Sequence, residues 1–226
     1  MTADDLPAAF AALPAAWSAA LPGWTPALTG EVHRRVKLVS GERDIAPADP
    51  FRALRLVPPE GVKVVIFGQD PYPTAGHADG LAFSAGLGRP RSLARIFEVL
   101  AQDRPGFVPP ARWQLDAWAQ QGVLLLNPTL TVEVGRKNSH TTAGWQALTA
   151  QIVASLLTRP LPPTFLLWGS QAQTFFDDVA GAPGSAMVLR ARHPSNDFQR
   201  RFMADGSHFA ATSSLVDWWA LGEEPV

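Results

Sequence analysis

Four segments of this chain each join a short apolar, strand-like run to a polar cluster: VKVVIFG followed by QDPYP (62–73), VLLL followed by NPTLTV (123–132), TFLLWGS (164–170) and MVLRARHPS (187–195). Short apolar runs rich in β-branched side chains read as buried strands. Continuous rather than alternating apolarity is the mark of parallel strands covered on both faces. Helical patterns lie between the runs, which implies βαβ units with right-handed crossovers. The expected fold is therefore α/β, with a central four-stranded parallel sheet flanked by helices. Ligands of open α/β sheets bind beyond the carboxyl ends of the strands. Gln69, Asp70, Tyr72, Asn127, Ser170, His193 and Ser195 should accordingly meet on one rim.

The intervening segments carry helix signals. SLARIFEVLAQD (92–103) places apolar residues at helical spacing, with Ser92 as the expected N-cap. ARWQLDAWAQQG (111–122) reads as a helix closed by Gly122, TAGWQALTAQIVASLLTR (142–159) as the longest helix, and SQAQTFFDDVAG (170–181) as the helix after the third strand. FRALRL (51–56) predicts a short helix before Pro58 and Pro59. The first 30 residues, rich in Ala, Pro and Trp, predict short helices interrupted by Pro7, Pro14 and Pro22. The tail SSLVDWWALG (213–222) predicts a terminal helix with Trp218 and Trp219 partly packed. No repeat, low-complexity tract or linker interrupts the pattern. The expectation is one domain over 1–226, of which 1–55 is a helical and loop-rich N-terminal region with little functional signal.

Composition narrows the classes. At 226 residues, 46% hydrophobic and 17% charged, the chain has the make-up of a globular protein and not of a disordered one. No run approaches the roughly 20 apolar residues of a membrane span. The opening MTADDLPAAF is acidic, unlike the basic start of a secretory signal. A cytoplasmic monomer without membrane contact is expected. Zero cysteines exclude a disulfide framework, a cysteine nucleophile and a thiolate-held cluster. The five histidines (33, 77, 140, 193, 208) are scattered without HExxH spacing, and neither a metal nor an organic cofactor is expected. The net charge of −1 argues against coating nucleic acid through bulk charge. Its distribution says more. Nine of the 19 basic residues fall in three windows: Arg89, Arg91 and Arg95; Arg136 and Lys137; Arg190, Arg192, Arg200 and Arg201. Each window adjoins a rim motif, which predicts a local anion-binding face.

The rim residues suit a particular chemistry. Gly68 lets the backbone turn tightly where the first strand ends. Asp70 precedes Pro71, so it is held extended and cannot open a helix. A carboxylate fixed there can orient a water or face a developing cation, although a turn aspartate is the commoner use of such a position. Phe83, in GLAFS, is either a stacking platform or core. Asn127 offers two donors and two acceptor lone pairs, which suits reading a pyrimidine edge and equally suits satisfying a loop backbone. His193, between a strand and Pro194, can donate to a ligand oxygen as a neutral imidazole or be a satisfied core histidine. Ser92, Ser170 and Ser195, grouped beside basic residues, can bind successive phosphates.

GQDPYP (68–73), GLAFS (80–84), LLLNPTLTV (124–132), NSH (138–140), LLWGSQAQ (166–173) and HPS (193–195) together resemble, in order and spacing, the family 1 uracil-DNA glycosylases. The resemblance runs from about residue 60 to the C-terminus, and GQDPY and HPS are its most specific parts. It implies a monofunctional glycosylase of base excision repair that hydrolyses the N-glycosidic bond of a flipped-out deoxyuridine, in single- or double-stranded DNA, and releases uracil. It implies that Asp70 positions the attacking water and stabilises an oxocarbenium-like sugar. Gln69 would contact the base, Tyr72 would fill the space beside pyrimidine C5 and reject thymine's methyl, and Phe83 would stack on uracil. Asn127 would bond the O4 and N3 edge, and His193 would donate to O2. Ser92, Ser170 and Ser195 would pinch the DNA backbone, with His140 supporting the site.

The chain departs from that family's pattern in three places. Pro73 stands where the family has histidine. HADGL (77–81) replaces QAHGL, which puts Asp79 at a histidine position. After HPS the family's Pro-Leu-Ser becomes Asn196-Asp197-Phe198. The family's leucine wedges into the vacated duplex. Asp197 there would be repelled by phosphates and cannot fill an apolar hole. Either Phe198 has moved into the role or the wedge is absent, and single-stranded DNA is then relatively preferred. Two other classes stay open at this point: a glycosylase of broader lesion range or a nucleoside hydrolase, and a non-catalytic DNA-binding module. Activity on free nucleosides would mark the first, and absence of turnover the second.

Overall fold

A computed structural model describes residues 1–181 and 184–222. In chain order its helices and strands are α1 (Leu6–Ala11), α2 (Ala15–Ala20), α3 (Pro26–Ser40), β1 (Ile45–Ala46), α4 (Arg52–Leu56), β2 (Val64–Phe67), α5 (Arg91–Asp103), α6 (Asp116–Gln120), β3 (Val123–Leu126), β4 (Val132–Glu133), α7 (Trp145–Leu157), β5 (Thr164–Trp168), α8 (Ser170–Ala180), β6 (Val188–Ala191) and α9 (His208–Ala211). Strands β2, β3, β5 and β6 form a parallel sheet in the order β3-β2-β5-β6. Phe67 stands beside Leu126 and Leu167, and Trp168 beside Ala191, so all four strands end along one edge. The expected α/β architecture, a four-stranded parallel sheet flanked by helices, is the one observed.

Every residue of β2, β3 and β5 is buried, the edge strand β3 included, whereas the other edge strand, β6, is only half-buried and carries the exposed Arg190. Large aromatics pack over the strands, with Phe165 against Phe176 at 4.8 Å and Trp168 against Phe202 at 5.3 Å between ring centroids. Burying each such side chain contributes about 1.5–3 kcal/mol. The same core takes in Leu6, Trp17, Val32 and Val36 from the N-terminal helices, and Trp17 donates its indole N–H to the carbonyl of Val57.

Several helix boundaries differ from expectation. Helix α5 starts at Arg91 behind Pro90, so Ser92 lies within the first turn and is not the N-cap. Of 111–122 only Asp116–Gln120 is α-helical, because the Leu115 N–H is taken by Ser84 Oγ at 3.0 Å and ties that stretch to a loop. Helix α7 starts at Trp145, not 142, because Gly144 is left-handed at φ +90. Pro7 opens α1 rather than interrupting a helix. No helix covers 213–222; its Trp218 is fully buried, donating to Thr212 Oγ1 and accepting from Trp118 at its carbonyl. The antiparallel β1–β4 pair was not expected, since two residues per strand leave no period in the sequence. Among the described residues no helix is long and apolar enough to cross a membrane.

Candidate active site

A cleft of about 440 Å³ opens at the carboxyl edge of the sheet. It is lined by Gln69, Asp70 and Tyr72 beyond β2, Phe83 and Ser92 from the following segment, Asn127 beyond β3, and His193 and Ser195 beyond β6. Two glycines let these ends close up. A Cβ at Gly68 would collide with Asn127 Oδ1, and one at Gly169, whose φ is +104, would sit 2.9 Å from His193 Cβ.

Asp70 is half-buried, and one of its oxygens, Oδ2, accepts the Asn138 backbone N–H at 3.1 Å. Asn138 is left-handed at φ +60, and its side-chain Oδ1 accepts from Gln69 Nε2 at 3.2 Å. Asp70 Oδ1 has no hydrogen-bond donor among the described residues, which leaves it available to a water. Burial raises the pKa of Asp70, opposed by the Asn138 N–H and the nearby Lys137 charge.

His193 is fixed in one tautomer. Its Nδ1 accepts the Ser195 backbone N–H at 3.1 Å and lies 2.8 Å from Ser195 Oγ. The proton of the neutral ring must then sit on Nε2, which has no partner among the described residues and can donate into the cleft. Burial, with the Lys137 charge adding to it, holds the pKa down to about 4, so the ring is neutral near pH 7.

The cleft also has an aromatic wall. Tyr72 OH donates to the Phe83 carbonyl at 3.1 Å and lies 2.7 Å from Ser92 Oγ. Burial raises its pKa, so the phenol stays un-ionised. Phe83 is left-handed at φ +65, an unusual conformation for a bulky residue, and its ring rests 5.2 Å from Trp168 and 5.7 Å from His193. Asn127 makes no side-chain hydrogen bond to any described residue, so its amide is not consumed by loop backbone. The cleft thus offers one free carboxylate oxygen, one imidazole N–H, a free amide and a flat aromatic face.

Three expected site residues lie outside the cleft. Ser170 is exposed at the start of α8, on the same sheet edge. His140 is fully buried, bonded to Thr131 Oγ1 at 2.9 Å and Ser40 Oγ at 2.8 Å, two residues beyond Asn138. Phe198 is 97% exposed on the loop after β6. The basic windows divide. Arg95, Arg136, Arg190 and Arg200 are paired with Asp197, Glu133, Asp177 and Glu98. Arg89, Arg91, Lys137, Arg192 and Arg201 make no ion pair with described residues, and the first three line the cleft. Lys137 and Asn138 were not singled out from the sequence as site residues. Their only signal was position, a basic pair running into NSH.

The model of the uracil DNA glycosylase superfamily matches residues 54–215. The chain belongs to this family. It is 41% identical over 181 residues to a uracil-DNA glycosylase of Deinococcus deserti, covering 79% of this chain and 71% of that protein. It is 38% identical over 200 residues to the uracil-DNA glycosylase of Idiomarina loihiensis, covering 87% and 91%. Among solved structures it is similar to mimivirus uracil-DNA glycosylase, at 27% identity and a TM-score of 0.67 over 76% of this chain and 64% of that one. A variant of the mimivirus protein in complex with UGI aligns at 25% identity and a TM-score of 0.71, covering 81% and 70%.

The structure accounts for two of the three departures from the glycosylase motifs, Asp79 and Asp197. The Pro73 carbonyl accepts the Gly135 N–H at 2.7 Å, a contact open to any residue, and the proline itself has no structural explanation. Asp79 is buried beneath the Phe83 loop, where it accepts from Ser84 Oγ at 2.6 Å and the Leu81 N–H at 3.1 Å and pairs with Arg52 at 3.3 Å. Asp197 is turned inward as a paired charge. Its side chain is 4% exposed and bonded to Arg95 Nε at 2.7 Å, to the Phe202 N–H at 2.9 Å and to the Arg201 N–H. Burial raises its pKa, but these bonds outweigh that and hold it below the usual range.

Proposed function

We propose that this chain hydrolyses the N-glycosidic bond of deoxyuridine in DNA and releases uracil, with Asp70 and His193 as its catalytic residues. The observation that carries the reading is the pairing, in one cleft, of a carboxylate with a free oxygen and a neutral imidazole with a free Nε2–H. An anion beside the sugar stabilises an oxocarbenium-like state. A preorganised donor at uracil O2 meets charge where it develops. As the N1–C1′ bond breaks, its electron pair leaves with uracil, and water held by Asp70 supplies the oxygen that bonds C1′. The water proton passes to Asp70 and then to solvent, and the released uracil anion is reprotonated from solvent. This chemistry draws on protein groups and water alone.

Recognition in this reading is shared among four side chains. Phe83 stacks on the base, Asn127 bonds its O4 and N3 edge, Tyr72 occupies the space a thymine methyl would need, and Gln69 closes the pocket. His140 supports the Asn138 turn from behind. The base reaches the pocket by flipping, which costs a few kcal/mol. Ser92, Ser170 and Ser195 grip the backbone phosphates, with Ser92 releasing Tyr72, which retains the Phe83 carbonyl as partner. Phe198, standing clear of the surface, fills the hole left in the stack. The protein acts as a monomer in the cytoplasm.

The test is base release from matched single- and double-stranded oligonucleotides carrying one uracil, in the presence of a chelator, beside free deoxyuridine. Uracil release from DNA, absent from deoxyuridine and lost in Asp70→Asn, is expected. Turnover of the free nucleoside, or none on DNA, would overturn the reading.

A further inference from the structure

The loop after β6 turns on one buried carboxylate. Asp197 caps the turn by accepting the N–H groups of Arg201 and Phe202, while its backbone carbonyl accepts the Arg200 N–H at 3.0 Å. Arg200 and Met203 are left-handed at φ +52 and +60, conformations that non-glycine residues hold only when the surroundings impose them. The imposing group comes from α5. Arg95, with its side chain 9% exposed, binds Asp197 through Nε at 2.7 Å, Glu98 through one terminal nitrogen at 3.2 Å and the Arg200 carbonyl through the other at 3.4 Å. Glu98 in turn accepts from both terminal nitrogens of Arg200. Between the two anchored ends of this turn stands Phe198, 97% exposed.

We propose that the Arg95–Asp197 pair is a latch that positions Phe198 for entry into the base stack. Arg95 touches neither base nor sugar; it acts through Asp197. The proposal rests on the reading of Phe198 given above. A flexible loop would lose entropy each time Phe198 entered the duplex, whereas a latched one is already ordered. The latch also explains how an acid can occupy the family's leucine position. Turned inward and neutralised by Arg95, it becomes the fixture of the loop, and the apolar contact moves one residue along.

The test compares wild type, Arg95→Met, Asp197→Asn, Phe198→Ala and the Arg95→Met/Phe198→Ala double variant on duplex and single-stranded uracil DNA. Thermal melts verify folding, and a 2-aminopurine beside the uracil reports unstacking. Arg95→Met should cut duplex kcat/KM by about tenfold or more while single-strand kcat/KM changes by less than about threefold. Asp197→Asn, which keeps the side chain's size and an acceptor, should fall between. Phe198→Ala should lower the duplex-to-single-strand ratio at least as much, and the double variant should match Phe198→Ala, since a latch with nothing to position has no further effect. The fluorescence rise on duplex binding should shrink in step with the ratio.

Additive losses in the double variant would show that Arg95 does not work through Phe198. Equal losses on both substrates for Arg95→Met would reduce the pair to a structural brace. Either result overturns the latch and leaves Phe198 as the wedge. A ratio unmoved by Phe198→Ala would overturn the wedge reading and the latch with it.

Discussion

The strand-built rim and the loop after β6 are held in place by different physics. On the rim, Asp70, Asn127 and His193 each sit one to three residues beyond a strand end, and the parallel register fixes their mutual positions. A side chain there can change without moving the backbone beneath it. In the loop no ladder of hydrogen bonds holds residues 197–203. Two side-chain ion pairs do, Asp197 with Arg95 and Glu98 with Arg200, and exchanging a member should alter the path of the chain. Rim variants should therefore change chemistry at constant stability, and loop variants should change stability and geometry together.

The sharpest test of the rim is Asp70→Asn. The amide keeps the shape but loses the anion that, in the proposed reading, faces the sugar and holds the water. Excision should fall by about a hundredfold to ten-thousandfold, with the melting temperature close to that of wild type. Burial disfavours the Asp70 charge, so removing it does not cost stability. Near-normal turnover by a folded Asp70→Asn protein would break the assignment, and a large drop in melting temperature would break the claim that the rim separates chemistry from stability.

Specificity variants come next. Tyr72→Ala should reduce the preference for uracil over thymine by about 10- to 200-fold, the range that one methyl's worth of pocket space commands. It also strands Ser92 Oγ and the Phe83 carbonyl, so uracil kcat/KM should fall as well. Asn127→Asp exchanges a donor for an acceptor and should weaken uracil while admitting some cytosine. Competitive release from mixed oligonucleotides measures both. If Tyr72→Ala releases no thymine while uracil release persists, the ring is not the sole steric gate.

The loop responds in stability. The family residue at position 197 is leucine, and the sequence alone suggests that Asp197→Leu would help or be neutral for duplex activity. The structure reverses that expectation. Leucine leaves the buried Arg95 with only the half-exposed Glu98 as counter-charge and frees two backbone N–H groups. Breaking one side of a buried pair costs about 3 kcal/mol, equivalent to a fall of about 6–12 °C in melting temperature at this chain length. Duplex excision should decline more than single-strand excision. A variant as stable as wild type would show that the loop does not depend on Asp197.

These differences track what was legible beforehand. The sheet and most of the rim were readable because each strand is a local apolar run with a polar breaker beside it, and the fold rule then fixes which edge they share. Asp197 was misjudged because its partner, Arg95, lies 102 positions away, and a motif comparison sees only the residue type. Asn138 escaped for the same reason, since its role is a backbone N–H presented to Asp70 across 68 positions. Asp79 follows the Asp197 pattern. It replaces a histidine but is matched by Arg52, and Arg52 is shared with Asp116. In both places an acid at an unexpected position comes with an arginine from a neighbouring helix. Helix starts were misplaced where a single left-handed glycine or a side chain across the fold decided them, as at Gly144 and at Leu115 with Ser84.

The smallest expected effect refines the electrostatics of the rim. In the proposed reading Asp70 works as an anion, so activity should be lost as pH falls through its raised pKa. His193, held down to about 4 by burial and Lys137, is neutral near pH 7 and titrates on the same acid side, so it shares that limb with Asp70. Lys137 lowers both groups, and its side chain is exposed at the cleft mouth. Lys137→Met should raise both pKa values. The acid limb of kcat/KM then moves to higher pH, by a few tenths of a unit for a charge largely screened by water. Salt must shrink the difference between Lys137→Met and wild type, since an exposed charge acts only over about 8–10 Å at physiological ionic strength. Lost phosphate attraction would lower kcat/KM at every pH and reduce the salt slope by about one unit, without moving the limb. The two contributions therefore separate in one set of pH profiles taken at two salt concentrations. A limb that stays put or moves to lower pH would show that Lys137 acts on the DNA alone and leaves the tuning of Asp70 to burial and the Asn138 N–H.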